Sequence, residues 1–555
     1  MKKRFALLLS LAMLAGTCFA GCGGGGGVEI DPNRTQLYVA NFDGGVGSEW
    51  LDKIQVAFEA KYAQTEFEPG KKGVQLITDK SKSDHISAIS TEIYNVIITE
   101  NVSYNELAAT GKILDITDIV QAKNLDGKTI ESKLSAQQQG ALTAVNGKYY
   151  ALPHYEYYPG LTYDKDVFND ESLYIKEGGG YTNAEGNLSV GPDGQKNTFD
   201  DGLPATYEEF FKLCDQMGKK GVTPFIYTGQ HPSYVDMLLE GLTAAYLGAD
   251  EFELLFSFDS SRNGTLSGDK LITTEVVTGW SNDVPTIERV AITPQTGYLT
   301  SNIAAKYHAL DFVETIVENK DDYLSDKINS ALSHLDAQEE YIYSSLDGEP
   351  IAMLIEGSYW YHEASSAFER SVESYGNAAK TRNFAWMPLP NAINGAAGEN
   401  GQKDVFLVDE ANSYVVINAN IKGDANLVKL AKLFVQYLYT DANLQEFTTT
   451  TGVYKGVTYE LTQEQYNAQN TYYKSITDLR GDGSKVVRPI SNNKIYVNAQ
   501  NSFKFMHGEA FGSTVNGEPY AIAMNAIKKG VSAKDYFNGM SITENQWTSL
   551  YSKYF

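Results

Sequence analysis

The chain has 555 residues, 70 of them acidic and 45 basic, for a net charge of −25. That balance excludes nucleic acid and an anionic membrane face as natural partners. Its length, with 42% hydrophobic and 12% aromatic residues, suffices for two or more packed domains.

Lys2, Lys3 and Arg4 precede an apolar run over residues 5–15. The run has signal-peptide length and is too short to span a bilayer. Small residues follow, ending Phe19-Ala20-Gly21-Cys22. This ending resembles the bacterial lipobox, with Phe19 where the pattern usually has Leu; the residues before Cys18 fit it less well. The resemblance implies a signal peptide over residues 1–21, lipid on Cys22, and residues 22–33 as a glycine-rich linker. Two acyl chains are enough to hold an exported protein at the outer face of the cell membrane. Ordinary cleavage to a freely secreted protein is the alternative. Cys214 lies at helical spacing with Phe210, Leu213 and Met217 and reads as core, so no internal disulfide is expected.

Gln36-Leu-Tyr-Val-Ala-Asn41 reads as a buried strand, followed by a glycine-rich loop over residues 42–48. Trp50, Ile54, Ala57, Phe58 and Tyr62 then fall at helical spacing. Strands follow at residues 73–78 and 96–98, the last closed by Thr99-Glu100-Asn101. Alternating strands and helices imply a mostly parallel sheet, whose ligands sit beyond the carboxyl ends of the strands. A second unit begins after Pro153. Thr206 and Glu209 form a capping box for a helix over residues 207–217. Residues 176–202 read as a surface insertion, and residues 232–248 as a long helix. Residues 414–417 form a strand, Asp424 caps the next helix, and the tail from about Tyr496 is aromatic and helix-prone.

Six segments, in order, resemble bacterial extracellular solute-binding proteins of the carbohydrate ABC-importer class, the maltose-binding-protein-like family 1. They are Gly147-Lys-Tyr-Tyr-Ala-Leu-Pro153, Leu161-Thr-Tyr-Asp-Lys-Asp-Val-Phe168, Gly202-Leu-Pro-Ala-Thr-Tyr207, Ile351-Ala-Met-Leu-Ile-Glu-Gly-Ser-Tyr-Trp-Tyr361, Trp386-Met-Pro-Leu-Pro390, and residues 431–440 with Gly452. Asp164 stands for the family's usual Asn, and Tyr207 for its Trp. The resemblance implies an α/β, two-lobed periplasmic-binding-protein type II fold with hinge crossings, here with an added C-terminal helical tail. Lobe one is then residues 34–157 plus 412–460, and lobe two residues 158–411 plus about 461–555. The hinge lies near residues 157–161 and 408–413, and ligand closes the lobes by shifting a population. The implied partners are a carbohydrate and the transmembrane subunits of an ABC permease, with the protein a monomer and not an enzyme.

Aromatic faces pack on pyranose C–H faces, and polar groups must replace the water lost from hydroxyls. Tyrosine does both, and the chain has 37. His154-Tyr-Glu-Tyr-Tyr158 is the densest cluster. The family places a ligand carboxylate at the position of Tyr157, with Glu156 beside it; which one points inward stays open. Tyr359 falls on the family's stacking Trp, with Trp360 next to it. Glu356 is expected to accept from hydroxyls. Asp43, Glu49 and Trp50 on the first loop, Glu100 and Asn101 on the third, and His154, His231 and Tyr234 complete the expected contacts. Trp50 equally fits the core, His231 a helix cap, Glu356 a surface turn, and Tyr158 hinge packing. Large lobes and an aromatic cleft point to an oligosaccharide.

No phosphate loop, zinc spacing or nucleophile elbow is present. Residues 193–201 and 259–263 carry oxygen ligands but lack EF-hand spacing and read as solvated loops. No metal or cofactor is expected. The rival readings are a surface glycoside hydrolase, needing two carboxylates about one bond, and a structural or adhesive lipoprotein.

Overall fold

The computed structural model describes residues 29–80, 85–261, 271–392, 405–498 and 513–555. The expected signal peptide and Cys22 lie outside those residues, as do the masked parts of the linker and of the 259–263 loop.

Two sheets organise the chain. The first runs in the order Val74–Asp79, Thr35–Asn41, Val96–Glu100, Ser413–Ile417, Ala151–Pro153. Its first three strands are parallel. Ser413–Ile417 returns from far along the chain and pairs antiparallel on both sides. The second sheet has the order Phe384–Met387, Pro159–Asp164, Ile351–Gly357, Thr223–Ile226. Ile351–Gly357 and Pro159–Asp164 are buried along their whole length. Continuous apolar runs such as Ile351-Ala-Met-Leu-Ile355 suit a strand covered on both faces, whereas an alternating pattern would leave one face wet.

Helices cover each sheet through their apolar stripes. Glu49–Lys61 buries Trp50, Leu51, Ile54 and Phe58, and Ala425–Leu438 buries Leu430, Ala431, Phe434 and Leu438. Asp424 caps the latter by accepting from the amides of Asn426 and Leu427. Helix Tyr207–Lys219 starts at Thr206, which accepts from Glu209 N at 3.2 Å. The expected box is displaced by one residue, because the Glu209 carboxylate accepts from Ala205 N instead. Helical residues run over Ser233–Ser257, but Gly248 divides them into two helices, so the first ends where the sequence predicts. Gly248 adopts φ 70°, ψ 174°, which only glycine tolerates readily, and this kink separates the first helix from the second. Cys214 is buried.

The C-terminal segment is packed. Trp547 is fully buried and donates to Pro294 O at 2.8 Å. Full burial of such a side chain is worth about 2–3 kcal/mol. Asp236, in the first turn of Ser233–Ser257, accepts from Ala523 N and Met524 N. Among the described residues no helix is long and apolar enough to cross a membrane.

Three segments connect the sheets: residues 154–158, residues 409–412, and the stretch from Gly452 to the helix Thr471–Arg480, which packs on Phe384–Met387. The first connection ends at Tyr158, so residues 159–161, expected within the hinge, already belong to a strand.

Candidate functional site

A cavity of about 460 Å³ opens between the sheets where these connections cross. Residues 154–158 run extended across its floor, and extended chain turns alternate side chains to opposite sides. Tyr155 and Tyr157 face the cavity. His154, Glu156 and Tyr158 point away and are buried.

Glu156 is held behind the floor by two arginines. Arg480 donates from Nε and Nη2 at 2.7 and 3.1 Å, and Arg488 from Nη2 at 2.7 Å. Arg488 also donates to Asp409 at 2.9 Å, and Tyr158 donates its hydroxyl to Glu156. Burial opposes charge on Glu156, but Arg480 and Arg488 outweigh it and hold the carboxyl below its ordinary range. The connections also bond through backbone: Glu156 N to Tyr454 O at 2.8 Å and Glu410 N to Tyr157 O at 3.1 Å. Two acids and two bases therefore fasten all three crossings.

The carboxyl ends of the first sheet form one rim. Phe42, Asp43, Gly44 and Gly45 follow Thr35–Asn41, and Glu100, Asn101, Val102 and Ser103 end the third strand. The Glu100 carboxylate accepts from the Tyr155 hydroxyl. Asn101 and Ala411, at φ 53° and 48°, sit in left-handed backbone on this rim, and Asn101 N donates to Asn412 O at 2.8 Å.

The opposite rim comes from the second sheet. Tyr234, Met237 and Glu240 share one face of Ser233–Ser257. Tyr359 follows Ile351–Gly357, and its ring lies 5.3 Å from that of Tyr157. Glu363 accepts from Gln338 at 2.8 Å and approaches His334 at 3.5 Å. The rims touch: a Cβ built on Gly45, at φ 70°, would lie 2.5 Å from Tyr359 Cδ2. Glu410, Tyr414 and Tyr496 close the end.

Six of the expected contacts line the cavity: Asp43, Glu100, Asn101, Tyr157, Tyr234 and Tyr359. The structure places seven others elsewhere. Glu49 is exposed beside Lys53. Trp50 is core, with Lys455 Nζ 4.4 Å above its ring. His154 is buried 2.6 Å from Lys455 Nζ. Glu156 is the arginine-bound carboxylate just described. His231 is exposed at the start of the long helix. Trp360 is fully buried and donates to Thr162 at 2.9 Å. Glu356 is buried behind Glu363 rather than on a surface turn; burial and the charge of Glu363 push its pKa up to about 8.

Tyr155 was within reach of period-two counting along residues 154–158. His334, Glu363, Glu410 and Tyr496 carry no local signal, because the fold brings them in from separate segments. Among the described residues no three or more His, Cys, Asp or Glu side chains group to hold a metal. In the 193–201 loop, Asp200 is occupied by Asp193 N and Thr198.

The model of a family described as bacterial extracellular solute-binding protein matches residues 57–470. No curated protein matches the sequence. Solved structures similar in fold include two whose descriptions name sugars. One, described as a chitin oligosaccharide binding protein, is 13% identical with a TM-score of 0.51, covering 94% of this chain and all of that one. The other, RafE in complex with raffinose, is 14% identical with a TM-score of 0.51, covering 92% and 100%.

Proposed function

Because the chain belongs to the bacterial extracellular solute-binding proteins, we propose that it is the capture component of an ABC importer that binds an oligosaccharide between its lobes. The carrying observation is the cavity itself, where Tyr157 from the first crossing and Tyr359 from the second sheet's rim share one lining with Asp43, Glu100 and Asn101. Rings that cover sugar faces and carboxylates that accept from hydroxyls are what such a ligand needs. One similar structure is described as a chitin oligosaccharide binding protein and another is in complex with raffinose, which supports the same reading.

In this reading lobe one is residues 34–157 plus 412–460 and lobe two is 158–411 plus about 461–555. The protein acts as a monomer, without catalysis, and is tethered through lipid on Cys22. A thermal-shift screen over saccharides of graded length tests the ligand class. Oligosaccharides should raise the melting temperature in proportion to the logarithm of their concentration, with no reducing sugar released. Stabilisation only by amino acids or peptides would sink the carbohydrate reading.

A further inference from the structure

Part of the cavity wall comes from beyond the family match, which stops at residue 470. Pro489 and Tyr496 both line the cavity. The stretch that carries them, residues 488–498, is fastened on both sides of the gap. On one side Gln137, in the helix Ala136–Leu142, donates to Arg488 O and Ile490 O at 3.2 and 3.1 Å. That helix buries Leu142 in the core of the first sheet. On the other side Asn493 donates to Ser257 O at 3.0 Å, at the end of the helical residues that share a core with the second sheet. The stretch is therefore a strap across one end of the cleft.

Tyr496 is held at both ends of its side chain. Its ring packs edge-on to Phe256 at 5.9 Å, and its hydroxyl donates to the Pro489 carbonyl. The residue is buried, so the ring has no free space to swing into. It acts as a wall. The space it bounds is about 460 Å³, in the lower half of the usual range for ligand pockets. At the packing density of organic solids that holds about two or three hexose rings. A longer chain has to leave the cavity somewhere, and the way past Tyr496 and Pro489 is blocked.

We infer that Tyr496, seated in the 488–498 strap, sets the length of ligand the cleft accepts. It stops one end of the saccharide, so about two or three rings are held and further rings add no affinity. This inference rests on the carbohydrate reading above and deepens it by naming the ligand's length.

Titration calorimetry with maltose, maltotriose, maltotetraose and maltohexaose, and with cello- and chito-oligomers of the same lengths, tests it. In a series that binds, affinity should rise up to about three rings and then stay level or fall. Tyr496→Ala removes the wall, and the ratio of hexamer to trimer affinity should rise at least about fivefold. Tyr496→Leu keeps apolar burial with a shorter side chain, and it reads the same ratio if the alanine variant does not fold. Affinity that keeps climbing from three rings to six in the parent protein overturns the inference and leaves the carbohydrate reading standing. A ratio unchanged in a variant that folds and binds also overturns it. Binding of no saccharide of any length by the parent removes both.

Discussion

Gly45 and Tyr359 meet across the cleft, with no room between them for a methyl group. Gly45 belongs to the loop after the first strand, and Tyr359 to the turn after Ile351–Gly357. Their contact exists only while the two rims are together. Gly45→Ala adds a Cβ in left-handed backbone, costing about 1–2 kcal/mol, and pushes it into the tyrosine ring. Ligand affinity should fall about tenfold, and small-angle scattering with ligand should show a more open average shape. Unchanged affinity would mean that the loop is not needed for closure.

Tyr359 and Trp360 are neighbours with opposite roles. Tyr359→Ala should weaken saccharide binding by about tenfold or more and shift the melting temperature little, since the ring is half-buried at the cavity. Trp360→Ala should cost about 3–5 kcal/mol of stability, because it empties a fully buried site and removes a hydrogen bond to Thr162. Urea denaturation and calorimetry on both variants separate the effects. A reversed pattern would exchange their roles.

Removing Glu156 leaves two arginines without their shared counter-charge. Glu156→Gln should destabilise the protein by about 3–5 kcal/mol, the usual cost of breaking a buried pair from one side. A melting temperature within a degree or so of the parent would show that the network contributes little.

Glu356 makes stability depend on pH. Its folded pKa, raised to about 8 by burial and by Glu363, lies above the unfolded value near 4.5. The folded state therefore holds the proton more tightly, and the contribution is fully present below about pH 4.5. It is lost as pH rises through about 8, at no more than about 1.4 kcal/mol per pH unit. Glu356→Gln should flatten this decline in urea melts at pH 5, 7 and 8.5. An equal slope in both proteins would assign the decline to another group.

The architecture was legible where chemistry is local. Val96-Ile-Ile98 and Tyr414-Val-Val-Ile417 read as strands because unbroken apolar runs suit covered sheets, and Asp424 marks a helix start by the same hydrogen bonds it makes in the fold. At the cleft, residue type misled where burial decided the outcome. Glu156, Trp50 and His154 are polar or amphipathic groups close in sequence to cavity residues, yet each faces inward to a partner supplied from residue 447 or beyond. No window of sequence around residue 154 contains Arg480 or Lys455. Gly248 is a case where local chemistry was legible: the glycine ends one helix as expected, and a second helix beyond it buries Phe252, Leu254, Leu255 and Phe256.

The arginine clasp also has a consequence in time. Arg480 and Arg488 follow Glu156 by 324 and 332 residues, so these are among the contacts whose loops are longest to close. While the chain is being made, its first sheet can assemble several strands before either arginine exists. The crossing that sets the distance between lobes is thus completed late. A chain cut short before residue 480 would carry Glu156 with no arginine to meet it, and quality control would encounter an exposed carboxylate where the finished molecule has a locked joint.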